Sequence, residues 1–144
     1  MDRRMESLKK NIQSVLSEKQ LHPIMNNTKW KELQSAVINT LPFPPPYQVK
    51  YVLEETPEPI SFDNDVWYFG DWNEGLSLFY SVEWIRVRPR YLKHRGVLID
   101  DELIDITVEF LRVLHHLNIP YIEESNSYYI FGYTSNTDKL FSKK

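Results

Sequence analysis

The chain has 144 residues, with 17 Lys and Arg against 20 Asp and Glu, four His and no Cys. That length suits one domain, since a single core serves chains of about 100–200 residues, and 42% hydrophobic content with 14% aromatics excludes a disordered, collagenous or low-complexity chain. The lack of cysteine excludes a disulfide framework, a thiolate zinc site and a cysteine nucleophile, and no run approaches the roughly 20 apolar residues of a membrane span.

The start, MDRRMESLKK, is charged and has no apolar region behind it, so the chain reads as a soluble cytoplasmic protein. Leu8, Ile12, Val15 and Leu16 recur at helical spacing and predict an amphipathic helix over residues 2–18. Leu21-His22-Pro23 interrupts it, and Asn26-Asn27-Thr28 offers caps for a second helix with Trp30, Leu33, Val37 and Leu41 on one face. Pro42-Phe43-Pro44-Pro45-Pro46 is an extended connector, because proline removes the donors a helix needs.

Tyr47, Val49, Tyr51 and Leu53 then alternate with polar residues, the period of a half-buried strand, and Glu55 to Pro59 reads as a loop. Val66 to Phe69 predicts a short aromatic strand, a turn follows at 70–75, and Leu78 to Val87 predicts one long strand or two joined by a bend. The simplest arrangement of these is an antiparallel meander. Asp100, with acids after it, predicts the start of a long helix whose stripe is Leu103, Ile106, Phe110, Val113, Leu114 and Leu117, broadened by Ile104, Val108 and Leu111. Ile119–Glu124 and Tyr128–Tyr133 flank Ser125-Asn126-Ser127 as a hairpin, with Gly132 marking a bulge. The tail from 135 to 144 reads as frayed, although Leu140 and Phe141 offer apolar docking points.

Charge runs in blocks. Residues 51–85 hold eight acids and no Lys or Arg, and Arg86, Arg88, Arg90, Lys93 and Arg95 follow within ten residues. Such blocks either steer a charged partner or face one another inside the fold and neutralise. Aromatics crowd the same region, and alternation cannot hide Trp67, Tyr68, Phe69, Trp72, Phe79, Tyr80 and Trp84 on one sheet face. Some of them line a second packing layer or stand exposed, where Trp and Tyr anchor interfaces.

Catalytic patterns are sparse. His115 and His116 are adjacent and diverge by about 100° around a helix, and His22 and His94 are isolated, so no metal site is expected. Asp101, Asp105 and Glu109 fall at i, i+4, i+8 and would form one solvated helix ridge. No Gly-x-Ser-x-Gly elbow and no phosphate-cradling glycine loop occurs, which leaves no catalytic residue or cofactor to assign. Arg86, Arg88 and Arg90 with Tyr91 and Lys93 combine guanidinium groups and an aromatic as nucleic-acid sites do. An acidic pI near 5.8 and the adjoining acid block weigh against that use.

Several segments together, Asn27-Thr28-Lys29-Trp30, Gly70-Asp71-Trp72 with Glu74-Gly75, Val82-Glu83-Trp84-Ile85, Arg95-Gly96, Leu103 to Ile106, and Ile119-Pro120-Tyr121 leading to Phe131-Gly132-Tyr133, resemble a family of small bacterial cytosolic proteins of unknown function. The resemblance spans about residues 27–134 and leaves the first helix outside. It implies a compact α+β domain without a recognised active site, and a place among the immunity-type proteins that bacteria encode beside polymorphic toxins.

The expectation is therefore a single α+β domain over residues 1–144, with its core at about 27–134. Two N-terminal helices precede a mostly antiparallel sheet of about five strands on which one long helix packs. The expected function is non-enzymatic protein binding, with neutralisation of a toxin whose basic cleft meets Glu54, Glu55, Asp71, Trp72 and Glu74 as its particular form. The alternative is an RNA-binding domain using Arg86, Arg88, Arg90, Tyr91 and Lys93. The oligomeric state is not legible.

Overall fold

The computed structural model describes residues 3–76 and 78–137. Helix α1 (Arg3–Glu18) turns Ile12 and Leu16 onto Val52, with Leu21 and Tyr133 around them. A two-residue strand, β1 (His22–Pro23), leads to α2 (Asn27–Thr40). As its sequence predicts, α2 is capped by Asn26, whose Oδ1 accepts from Lys29 N at 2.8 Å. Trp30, Leu33 and Val37 are its buried face.

The proline run then delivers the chain into β2 (Tyr47–Tyr51). A short 3₁₀ turn at Phe79–Ser81 precedes β3 (Val82–Val87), and the pair β4 (Arg90–Lys93) and β5 (Glu102–Asp105) forms a separate two-stranded arm. Helix α3 (Thr107–His116), β6 (Ile122–Glu124), β7 (Ser127–Phe131) and β8 (Tyr133–Thr134) complete the described chain. The main sheet is antiparallel in the order β2-β3-β7-β6, and β8 pairs with β1. The fold is thus α+β, with α2 and α3 on one sheet face.

Period-two alternation divides that sheet into two unlike faces. Val49, Ile85, Val87, Tyr128 and Ile130 point to the helices and pack with Trp30, Leu33, Val37, Phe110 and Leu114. Gln48, Lys50, Trp84, Arg86, Ser127, Tyr129 and Phe131 lie on the other face, with the Trp84 and Tyr129 rings 5.2 Å apart. The β6–β7 hairpin closes through Ser125 and Asn126, both at positive φ (52° and 62°), the two-residue turn whose twist matches the strands. Gly132 separates β7 from β8 where its N–H donates to Glu83 O and its C=O accepts from Ile24 N. A Cβ there would lie 2.3 Å from Val82 O, which is why the expected irregularity falls on glycine.

Three sequence expectations are corrected. The meander is absent, because β3 sits inside the sheet between β2 and the C-terminal hairpin. Val66–Phe69 is irregular and touches β4 through a single ladder-type bond, Leu92 N to Val66 O at 2.7 Å. Aromatic β-propensity reports fit to a half-buried pleat, and this segment has no such surface to lie on. The long helix begins at Thr107 and not near Asp100, since Leu103 and Ile104 pair with Leu92 and Tyr91 as strand. Asp105 supplies the carboxylate at the true helix start, accepting from Thr107 N at 2.7 Å. Asp101, Asp105 and Glu109 consequently do not form one helix ridge, and Val108 is exposed instead of broadening the apolar stripe. Leu140 and Phe141 lie outside the described residues.

These placements separate core from surface by measurement. Phe110→Ala should cost about 3–5 kcal/mol in denaturant unfolding. Val108→Ala, only two residues away, should stay within about 0.5 kcal/mol of the parent. Gly132→Ala should destabilise by about 1–3 kcal/mol through overpacking.

Candidate partner-binding surface

The acid block and the basic block meet inside the fold. Residues 54–65 cross the far face of the sheet as a strap, tied down where Glu58 exchanges backbone bonds with Val49 and where Gln48 Nε2 donates to Pro59 O at 2.8 Å. Arg86 and Arg88 fall two apart along β3 and its continuation, so both reach the same side. Arg86 donates to Ser127 Oγ at 2.7 Å and to Asp63 at 3.0 Å, and lies over the Tyr129 ring. Arg88 is 2% exposed; its Nε donates to Phe62 O at 2.9 Å, and Nη1 reaches Ser125 O and, at 3.9 Å, Asp65. Arg90 grips Asp65 with two bonds of 2.8 Å.

The electrostatics follow from this geometry. Hydrogen bonding from Arg90 holds the Asp65 carboxyl below the usual carboxylate range, against the opposing effect of its burial. Burial pushes Arg88 down, and repulsion from Arg86 and Arg90 adds to it. On the same face Lys50 donates to Glu83 Oε1 at 3.0 Å. Asp65 is thus paired with Arg90 and Glu83 with Lys50 within the fold, Asp63 meets Arg86 from an exposed position, and Arg88 is held by backbone carbonyls. Of the basic segment expected to contact nucleic acid, Lys93 is exposed and Tyr91 is half-buried against Phe43 and Phe69. Within that row Arg86 and Arg90 donate to carboxylates and Arg88 to backbone carbonyls.

The residues expected to meet a protein partner divide as well. Glu54, Glu55, Asp71 and Glu74 are exposed. Trp72, expected as an exposed anchor, is 1% exposed. Its indole donates to Pro45 O at 2.8 Å, and its ring meets Tyr47 at 5.1 Å. The surrounding turn exists to seat it: Tyr47 Oη donates to Asp71 O at 2.6 Å, and a Cβ on Gly70 would come 2.3 Å from Pro45 O. The Gly70-Asp71-Trp72 motif is a packing device. Among the described residues no group of three or more His, Asp or Glu is placed to hold a metal ion, and no helix is long and apolar enough to cross a membrane.

The exposed apolar surface lies elsewhere, on the β4–β5 arm. The arm is rooted by Phe43, Phe69 and Tyr91, whose centroids lie 4.7–5.4 Å apart. At its tip Val97 and Leu98 are 93% and 97% exposed, and Ile99 is more than half exposed. Leu103 is exposed on β5, and Trp67, 75% exposed, stands beside the arm in the segment bonded to β4. Cross-strand charges flank this tip, Lys93 opposite Glu102 and His94 3.2 Å from Asp101. The sequence carried one signal for it. Three consecutive apolar residues, Val97-Leu98-Ile99, cannot all face inward from a hairpin.

A helix-backed antiparallel sheet, an acid strap locked on arginines and a projecting apolar arm define a small α+β domain. The chain belongs to the family of unknown function DUF6678, whose model matches residues 12–137. The match begins inside α1 and so includes Ile12 and Leu16, which the expected span from residue 27 left out. No curated protein matches the chain, and no solved structure does.

The strap should govern acid stability. Asp65 is depressed in the folded state, so its contribution is complete above the unfolded value of about 4 and is lost as pH falls through the folded value. Asp65→Asn should destabilise by at least about 2 kcal/mol at pH 7. The same variant should show a flatter loss of stability below about pH 4 in unfolding series across pH.

Proposed function

We propose that this chain is a non-enzymatic protein-binding domain that engages its partner through the β4–β5 arm. The observation that carries the reading is the exposure of Val97, Leu98 and Ile99 together at the tip of a hairpin with a packed aromatic root. Exposed apolar residues clustered within a polar rim mark interaction sites on soluble domains. The rooted hairpin also presents them with little ordering entropy to lose on binding. A toxin with a basic cleft is the particular partner that the remaining surface acids suit. Glu54, Glu55, Asp71 and Glu74 stay exposed once Asp63 and Asp65 are paired with Arg86 and Arg90, and would steer its approach.

The test is quantitative co-purification with the tagged chain from its native cell, with nuclease treatment in parallel. The parent should retain a stoichiometric protein that survives nuclease. Leu98→Asp should lose that protein while keeping the parental unfolding midpoint, since a residue so exposed contributes little to folding. Equal recovery by parent and variant would overturn the arm as the contact. Recovery of nucleic acid alone would overturn the protein-binding reading itself.

A further inference from the structure

The β4–β5 arm has two edges, and only one is occupied among the described residues. The outer edge of β4 is met by Val66, whose carbonyl accepts from Leu92 N at 2.7 Å. Leu92 N–H therefore points away from β5. In an antiparallel ladder, directly opposed residues turn their N–H and C=O groups either both inward or both outward. Leu103, opposite Leu92, thus presents its own N–H and C=O on the outer edge of β5, and Asp105, two residues on, does the same. The inward set is consistent with this: Ile106 N, one residue beyond, donates back across the pair to Pro89 O at 2.8 Å.

Side chains give that edge a chemical signature. Asp101, Leu103 and Asp105 share one face by alternation, with the apolar residue between two carboxylates, and all three are exposed. Their internal partners are incomplete cations. Among the described residues Asp101 faces His94, and Asp105, whose Oδ1 accepts from Thr107 N, has its other oxygen 3.5 Å from an arginine already bidentate on Asp65. Asp100 and Glu102 add further negative charge to the same stretch.

We infer that the outer edge of β5 is a strand-addition site for an extended protein segment of the pattern basic–x–apolar–x–basic. Resting on the reading of the chain as a protein-binding domain, it names the partner's chemistry: main-chain bonds to Leu103 and Asp105, an apolar side chain beside Leu103, and Lys or Arg opposite Asp101 and Asp105. A second copy does not meet this requirement. Antiparallel self-pairing centred on Leu103 sets Asp101 against Asp105. The neighbouring registers that keep both outer edges facing set Glu102 against Glu102, where like charges directly opposite are destabilising, or Leu103 against Asp105, where neither carboxylate meets a cation.

The probe is a capped heptapeptide, Thr-Lys-Thr-Val-Thr-Lys-Thr, titrated into the ¹⁵N-labelled full chain and followed by amide shifts. Saturable shifts of Leu103 and Asp105 are expected. Binding should weaken about tenfold or more when the two lysines become glutamates, and likewise when the valine nitrogen is methylated to remove its hydrogen bond. Asp101→Lys, on an exposed residue, should weaken it comparably without altering the folded spectrum elsewhere. Absence of saturable edge shifts, or equal binding of the methylated peptide, would overturn the inference. So would a peptide-independent dimer in which the Leu103 amide is protected. If Leu98→Asp abolishes partner retention while the peptide leaves the edge unmoved, the edge inference falls alone. If the peptide binds the edge but Leu98→Asp retains the partner, the edge stands and the apolar tip is dismissed.

Discussion

A guanidinium that is 2% exposed constrains everything around it, and Arg88 is that group. Removing an arginine from water is unfavourable unless acceptors replace the lost hydration. Arg88 is further disfavoured by the two arginines that flank it at spacing two. Its acceptors come from two distant places, Phe62 O in the strap and Ser125 O in the β6–β7 turn, with the Phe62 ring beneath it. The strap must close over the sheet for β3 to hold this residue, and closing it brings Asp63 onto Arg86 and Asp65 onto Arg90. One buried side chain thereby fixes the path of the acid-rich segment and the geometry at the root of β4.

The consequence for recognition runs against the first intuition from charge. Adjacent blocks of eight acids and five bases suggest strong local fields. Instead, the central members of each block cancel at distances of 2.8–3.0 Å, and what remains outside is scattered. On the proposed reading, the surface that meets a partner is set by shape and apolarity, on an arm whose Tyr91 root is packed against Phe43 and Phe69. Rigidity at the root and exposure at the tip are complementary, because an anchored hairpin can carry apolar residues into solvent without collapsing onto the core.

Local signals were legible wherever one physical rule decided the outcome. Asn26 caps α2, the proline run leaves the helix and stays outside regular structure, and Ser125-Asn126 makes the hairpin turn, each as its chemistry requires. The sequence misled where two rules competed. Asp100 followed by acids satisfies the helix-start rule, yet Leu103 and Ile104 find strand partners in Leu92 and Tyr91, and tertiary pairing overrides the local signal. Trp72 shows the same limit. Its polar flanks read as surface, while the Tyr47 ring and the Pro45 carbonyl that bury it lie about 25 residues upstream and no spacing rule reveals them. The neutralisation of Asp65 by Arg90 was one of two open readings, and only the path of the strap decides between them.

An arm with a bare strand edge and apolar residues at its tip is the kind of element that ordinarily drives aggregation. Here the acids on β5 are placed so that self-pairing centred on Leu103 or on Glu102 opposes like charges, and the register centred on Ile104 offers the carboxylates no cation. The same carboxylates leave the edge open to a strand that carries cations in their place. On the proposed reading, the carboxylates that disfavour pairing centred on Leu103 are the same groups that favour a cationic strand beside it, so one charge pattern serves both discriminations.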